Sequence, residues 1–190
     1  PSQLVKDHDL NSPRPPDASR SGKSIRLLEQ IDEVLAEGER AIIFTQFRQM
    51  GHLLQLMLRH EFDREVLFLH GGTPQKQRET IIAAFQKSDG SSPILILSLK
   101  AGGVGLNLTA ADYVFLLDPW WNPASEAQAI DRAHRIGQSR PVVAYRLIAR
   151  GTVEERVAEL QDKKRELVSA VLGSGDQSEL GAGLTREDLE

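Results

Sequence analysis

Cysteine is absent from the 190 residues, which excludes disulfides and thiolate metal sites outright. Aromatic side chains are scarce at 5%, and the only two tryptophans, Trp120 and Trp121, are neighbours. No apolar run approaches the ~20 residues of a membrane span, and no signal peptide opens the chain. An intracellular setting with no membrane partner is therefore expected. The first residue is Pro1 rather than methionine, which suggests an excised fragment. The five histidines, His8, His52, His60, His70 and His134, show no metal-ligand spacing and no pairing with a nucleophile, so no metal site is expected. A phosphate loop is also missing. Gly22-Lys23-Ser24 imitates its end, but the glycine required five positions earlier is Asp17, and no strand precedes it. This segment reads instead as a helix start with Ser24 as its cap. A convincing acidic magnesium-binding strand end is lacking as well.

Charge of one sign does not dominate the body of the chain. The net charge is −4, yet residues 173–190 alone hold Asp176, Glu179, Glu187, Asp188 and Glu190 against Arg186. Without that tail, 27 acidic and 23 basic residues become 22 of each. Any nucleic-acid contact must then be a local patch rather than a global field.

Apolar periodicity organises the rest. Residues 1–22, with Pro1, Pro13, Pro15, Pro16, Ser19 and Ser21, read as a linker. Ile25, Leu28, Ile31, Val34 and Leu35 predict a helix stopped by Gly38. Strands are predicted at 41–44, 66–69, 94–97, 113–117 and 142–147, alternating with helices. Thr73 and Pro74 predict a cap and first helical residue, as do Asn122 and Pro123. Thr152 opens the last helix with a capping box closed by Glu155. The expected organisation is a linker over 1–22, an α/β domain over 23–150, a helix over 151–172 and an acidic tail over 173–190. Continuous apolar strands alternating with helices predict a parallel sheet covered on both faces. Its loops after the strands then share one rim, where function is expected.

Three constellations fall on that rim. Gln128, Arg132 and Arg135 lie on one helical stripe, within roughly 60° of arc, while Ile130 and Ala133 point away. Two guanidinium forks and an amide suit a polyphosphate, although a solvated face with ordinary salt bridges fits the same pattern. Ser98 to Leu108 carries Gly102, Gly103 and Gly105, which let a backbone approach a ligand closely. Lys100 adds a charge for a nucleic-acid phosphate, and a plain surface turn is the alternative. At Trp120-Trp121, adjacent extended residues face opposite ways, so one ring should pack inward and the other stay available.

Taken together, these residues resemble the Swi/Snf family of double-stranded-DNA translocases, within the superfamily-two helicases, from about Ser21 to Leu172. Ile42-Ile43-Phe44-Thr45-Gln46-Phe47 looks like its motif four and Ser98 to Leu108 like its motif five. Trp121-Asn122-Pro123, Gln128, Asp131-Arg132, His134-Arg135 and Ile136-Gly137-Gln138 look like the stretch through motif six. The resemblance implies the second of two RecA-like lobes, with ATP and Mg2+ held mainly by an N-terminal lobe outside this chain. It implies arginine fingers at Arg132 and Arg135 and a nucleotide side lined by Gln128, Gly103, Gly105 and Asn107. Contacts to duplex DNA are implied for Thr45, Gln46, His70, Gly71, Lys100, Trp120 and Trp121, with a protein cargo displaced or remodelled on the DNA. The last helix would brace the two lobes, and this chain alone would hydrolyse no ATP. Lys100 departs from the arginine of many relatives, keeping charge but losing the bidentate fork. The short loops suggest a compact prokaryotic member. An RNA-helicase lobe and an inert binding module are the competing readings.

Overall fold

The computed structural model describes residues 16–87, 89–98, 108–118, 120, 122–133 and 141–173. Strands β1 (Ala41–Thr45), β2 (Val66–Leu69), β3 (Ile94–Ser98), β4 (Tyr113–Leu116) and β5 (Val143–Arg146) alternate with helices. The helices are α1 (Gly22–Ala36), α2 (Arg48–Phe62), α3 (Gln75–Gln86), α4 (Pro123–Ala133) and α5 (Val153–Gly173). All described strand pairings are parallel, in the order β2-β3-β1-β4-β5.

Successive strand residues point to opposite faces, and the core divides accordingly. Ile43, Ile96, Phe68 and Phe115 meet Leu27, Ile31 and Val34 of α1 and Leu53, Leu54 and Leu58 of α2. Ile42, Phe44, Leu95 and Leu116 meet Phe85 of α3, with Ile81, Ile82 and Ile130 packed against them. β1 and β3 are buried along their whole length, which is why they read as uninterrupted apolar runs.

The edge departs from expectation. β5 spans Val143–Arg146 rather than 142–147, and Val143, Ala144 and Tyr145 are exposed. As the last described strand it has a partner on one side only, and its residues are covered less than those of the central strands. Its rings still order one face: Tyr113, Phe115 and Tyr145 lie stacked, with centroids 5.4 to 6.4 Å apart.

Three helix starts also differ in detail. Ser21, not Ser24, caps α1, accepting from the Ser24 N–H at 3.3 Å. Thr73 does not cap α3; its hydroxyl accepts from the His70 N–H at 3.1 Å and closes a turn, so Pro74 becomes the cap position. Thr152 caps α5, accepting from the Glu154 N–H at 3.2 Å, but Glu155 reaches back to the N–H of Gly151, one residue earlier than a capping box requires. Asn122 meets the prediction: its side chain accepts from the Ala124 N–H at 3.0 Å, with Pro123 as first helical residue.

Candidate functional site

The sheet order determines where a site can form. From β1 the chain crosses over to β2, beyond β3, whereas from β4 it leads to β5 on the opposite side. Between the carboxyl ends of β1 and β4 lies the switch point where open α/β sheets bind their ligands. A cavity of about 180 Å³ lined by Arg40, Arg64 and Pro93 sits at the other, amino end of the strands.

At the switch point one carboxylate organises the backbone. Asp118, buried to 5% exposure, accepts from the Thr45 hydroxyl at 2.6 Å and from the Gln46 N–H at 3.0 Å. The Thr45 oxygen in turn accepts from the Phe47 N–H at 3.3 Å. Thr45 is itself fully buried, so its side chain shapes the loop rather than facing outward. Gln46 is half-buried, and Phe47 presents its ring to solvent at 59% exposure. Phe47 lies in the stretch that resembles motif four, and no separate role was expected of its exposed ring.

Trp120 supplies the inward ring. It is 4% exposed and meets Phe44 edge-on, with centroids 6.2 Å apart at 87°. The nucleic-acid contact expected of this ring is therefore corrected: the ring fills the core against Phe44, and its backbone N–H donates at 3.1 Å to Glu126, itself buried in α4.

The loop after β2 is the third part of the rim. His70 Nδ1 accepts from the Gly72 N–H at 3.1 Å, which leaves the proton of a neutral ring on Nε2. Its ring lies 5.8 Å from His52 and 5.1 Å from Phe68. Burial, then the Arg48 charge, then His52 and Arg78, hold the His70 imidazole below its ordinary value. Burial and Arg48 lower His52 likewise. Gly71 is exposed, its carbonyl accepting from Arg78 at 3.0 Å, while Arg78 Nε donates to the Thr73 carbonyl at 2.8 Å. One guanidinium thus ties the loop to α3.

α4 carries Gln128, which is exposed, and the backbone of Arg132. Ile130 packs against the core, as the stripe predicted. Lys100, Gly103, Gly105, Asn107, Trp121 and Arg135 lie outside the described residues, as does the side chain of Arg132. Among the described residues no group of three His, Asp or Glu could hold a metal ion, and no helix is long and apolar enough to cross a membrane.

Two further buried charges escaped sequence reasoning. Lys23, set aside as part of a false phosphate loop, is 6% exposed; its Nζ donates to the Leu117 carbonyl at 2.8 Å and pairs with Glu154 at 2.5 Å. It fastens α1, the end of β4 and the start of α5. Arg146 of β5 pairs with Glu126 at 2.8 Å. A lysine in a helix-start tripeptide and an acid in an alanine-rich helix carry no local mark of burial.

The helicase conserved C-terminal domain family matches residues 23–137. DNA repair protein RAD5A of Arabidopsis thaliana is 45% identical over 153 residues, covering 80% of this chain and 15% of the plant protein. The structure of the Sulfolobus solfataricus SWI2/SNF2 ATPase C-terminal domain is 35% identical with a TM-score of 0.69, covering 98% of this chain and 72% of that one. The SWI2/SNF2 ATPase core of the same organism in complex with dsDNA is 40% identical with a TM-score of 0.72, covering 91% of this chain and 35% of that one. The chain thus spans less than a fifth of the length of the plant relative and about a third of the archaeal core.

Proposed function

Because the chain belongs to the helicase C-terminal domain family, as the C-terminal lobe of a SWI2/SNF2 ATPase, we propose that it is one half of an ATP-dependent motor on double-stranded DNA. The observation that carries this reading is that the Gln46–Phe47 loop, the His70–Gly71 loop and the start of the helix that bears Gln128 and Arg132 all follow the carboxyl ends of parallel strands in one sheet. The dsDNA bound by the related archaeal core supports the choice of polymer.

In this reading ATP lies against the rim of α4, gripped mainly by the missing N-terminal lobe. Phosphoryl transfer from ATP with Mg2+ supplies the free energy, and no described residue cluster of this chain suits the metal. Arg132 and Arg135 extend their guanidinium groups to the charge that develops on the transferring phosphoryl oxygens. Gln128, Gly103, Gly105 and Asn107 line the nucleotide side and offer backbone and amide donors. Gln46, His70, Gly71, Lys100 and Trp121 follow the DNA backbone. Thr45 and Trp120 act from beneath, holding the loops that do so. Residues 23–150 form the lobe, α5 braces it against its partner lobe, and residues 1–22 and 173–190 are flanking segments.

The test uses the intact protein with duplex DNA or RNA as stimulant of ATP hydrolysis. Stimulation by duplex DNA is expected. Preference for RNA would overturn the reading in favour of an RNA-helicase lobe, and indifference to both would favour an inert binding module.

A further inference from the structure

Glu126 is 2% exposed in the first turns of α4, and both of its oxygens are engaged. Oε1 accepts from the Trp120 N–H at 3.1 Å, and Oε2 lies 2.8 Å from the Arg146 guanidinium. Arg146 then extends its other nitrogen to 3.8 Å from Asp162 of α5. Trp120 is locked on Phe44, the last residue but one of β1. A single carboxylate therefore joins the tryptophan loop, the arginine-bearing helix and the edge strand.

Helical geometry gives this junction a direction. At 100° per residue, Gln128 and Arg132 lie about 200° and 240° around α4 from Glu126, on the opposite face. Ile130, at about 40°, shares the inner face with Glu126 and packs in the core. The carboxylate is thus a charged peg beneath the face that carries the functional groups. Burying such a charge is costly unless it is paired and hydrogen-bonded. A leucine of similar volume here would leave the Trp120 N–H and the Arg146 guanidinium without their acceptor.

We propose that Glu126 and Arg146 form a positioning pair that couples the tryptophan loop to the register of the Gln128–Arg132 face, so that DNA engagement at the loop sets the alignment of the arginines. The inference rests on the functional reading above. Neither residue touches nucleotide or DNA; they act through the elements they hold.

The experiment measures ATP turnover of the intact protein against duplex-DNA concentration for wild type, R132A, E126Q, E126Q/R146M and R146K. E126Q keeps an acceptor for the Trp120 N–H and removes the charge facing Arg146. E126Q/R146M replaces the ion pair with a neutral one, an exchange that commonly leaves stability close to wild type. The maximal DNA-stimulated rate should fall about tenfold or more in E126Q and E126Q/R146M, a loss that misalignment far from the chemistry can produce. The DNA concentration for half-maximal stimulation should stay within about twofold, and R146K should lose less of the rate, since it keeps the charge but not the fork. A maximal rate near wild type in E126Q/R146M overturns the proposal, as does a loss confined to DNA affinity. Failure of E126Q/R146M to melt cooperatively would assign the pair to stability instead and overturn it too. Stimulation lost in R132A but kept in E126Q/R146M sinks the pair alone, whereas a wild type that DNA does not stimulate sinks the functional reading first.

Discussion

The hydroxyl of Thr45 donates to Asp118 Oδ2 across 2.6 Å, joining the ends of two strands, β1 and β4, that are neighbours in the sheet and 73 residues apart in the chain. The same oxygen takes the Gln46 N–H, so one acid sets the direction in which the chain leaves β1. Asp118→Ala leaves a buried hydroxyl and an amide without their acceptor. Such orphaned groups cost about 1–3 kcal/mol. Urea denaturation of the variant should show that loss, and Asp118→Asn, which keeps an acceptor, should lose less. Equal stability of Asp118→Ala and wild type would remove Asp118 from this role.

Gly51 of α2 sits against the ring of Phe68, and a Cβ there would collide with it. The Phe68 ring is itself held between His52 at 4.9 Å and His70 at 5.1 Å. Gly51→Ala should therefore destabilise the fold by about 1–3 kcal/mol through overpacking, against the gain of up to about 1 kcal/mol that alanine brings to a helix interior. A denaturation midpoint higher than wild type would show that the ring yields freely. Because Phe68 leads directly to the His70 loop, the same variant should shift the ring resonances of His70.

The two rim histidines give a pH dependence of defined sign. Burial and neighbouring guanidinium charges lower both His52 and His70 from the ordinary 6.5. The folded chain then binds fewer protons than the unfolded one as the pH falls through that range. Their stabilising contribution is complete above about 6.5 and is lost as the pH falls through the lower folded values. The melting temperature should drop between pH 7.5 and pH 5.5, and Arg48→Gln should raise the His70 midpoint seen by NMR. A melting temperature that rises on acidification would contradict this.

Much of the fold is legible in the chain. Ala41-Ile42-Ile43-Phe44 and Ile94-Leu95-Ile96-Leu97 are apolar on both faces because both faces are covered, and their shortness marks them as strands rather than buried helices. The edge strand β5 is one residue shorter at each end than its apolar run, since apolar content at an edge does not report burial. The cap expected at Ser24 falls three residues earlier at Ser21, the one expected at Thr73 falls at Pro74, and Glu155 takes the N–H of Gly151 rather than Thr152, because several hydroxyls and acids within reach can satisfy the same N–H groups. At the site, helical spacing predicted the exposure of Gln128 and the packing of Ile130, and the opposed directions of adjacent residues predicted one inward tryptophan. The pairings of Lys23 with Glu154, Asp118 with Thr45 and Glu126 with Arg146 were not legible because those partners lie 131, 73 and 20 residues apart, and only the fold brings them together.

The role proposed for the face of α4 is to complete an ATP site begun on another lobe. Its most direct test is the DNA-stimulated turnover of the intact protein carrying Arg132→Ala or Arg135→Ala. Arginine fingers contribute about 10³–10⁵ to turnover, so each variant should lose at least about a thousandfold while its duplex-DNA affinity holds. Unchanged turnover in both variants would contradict the account.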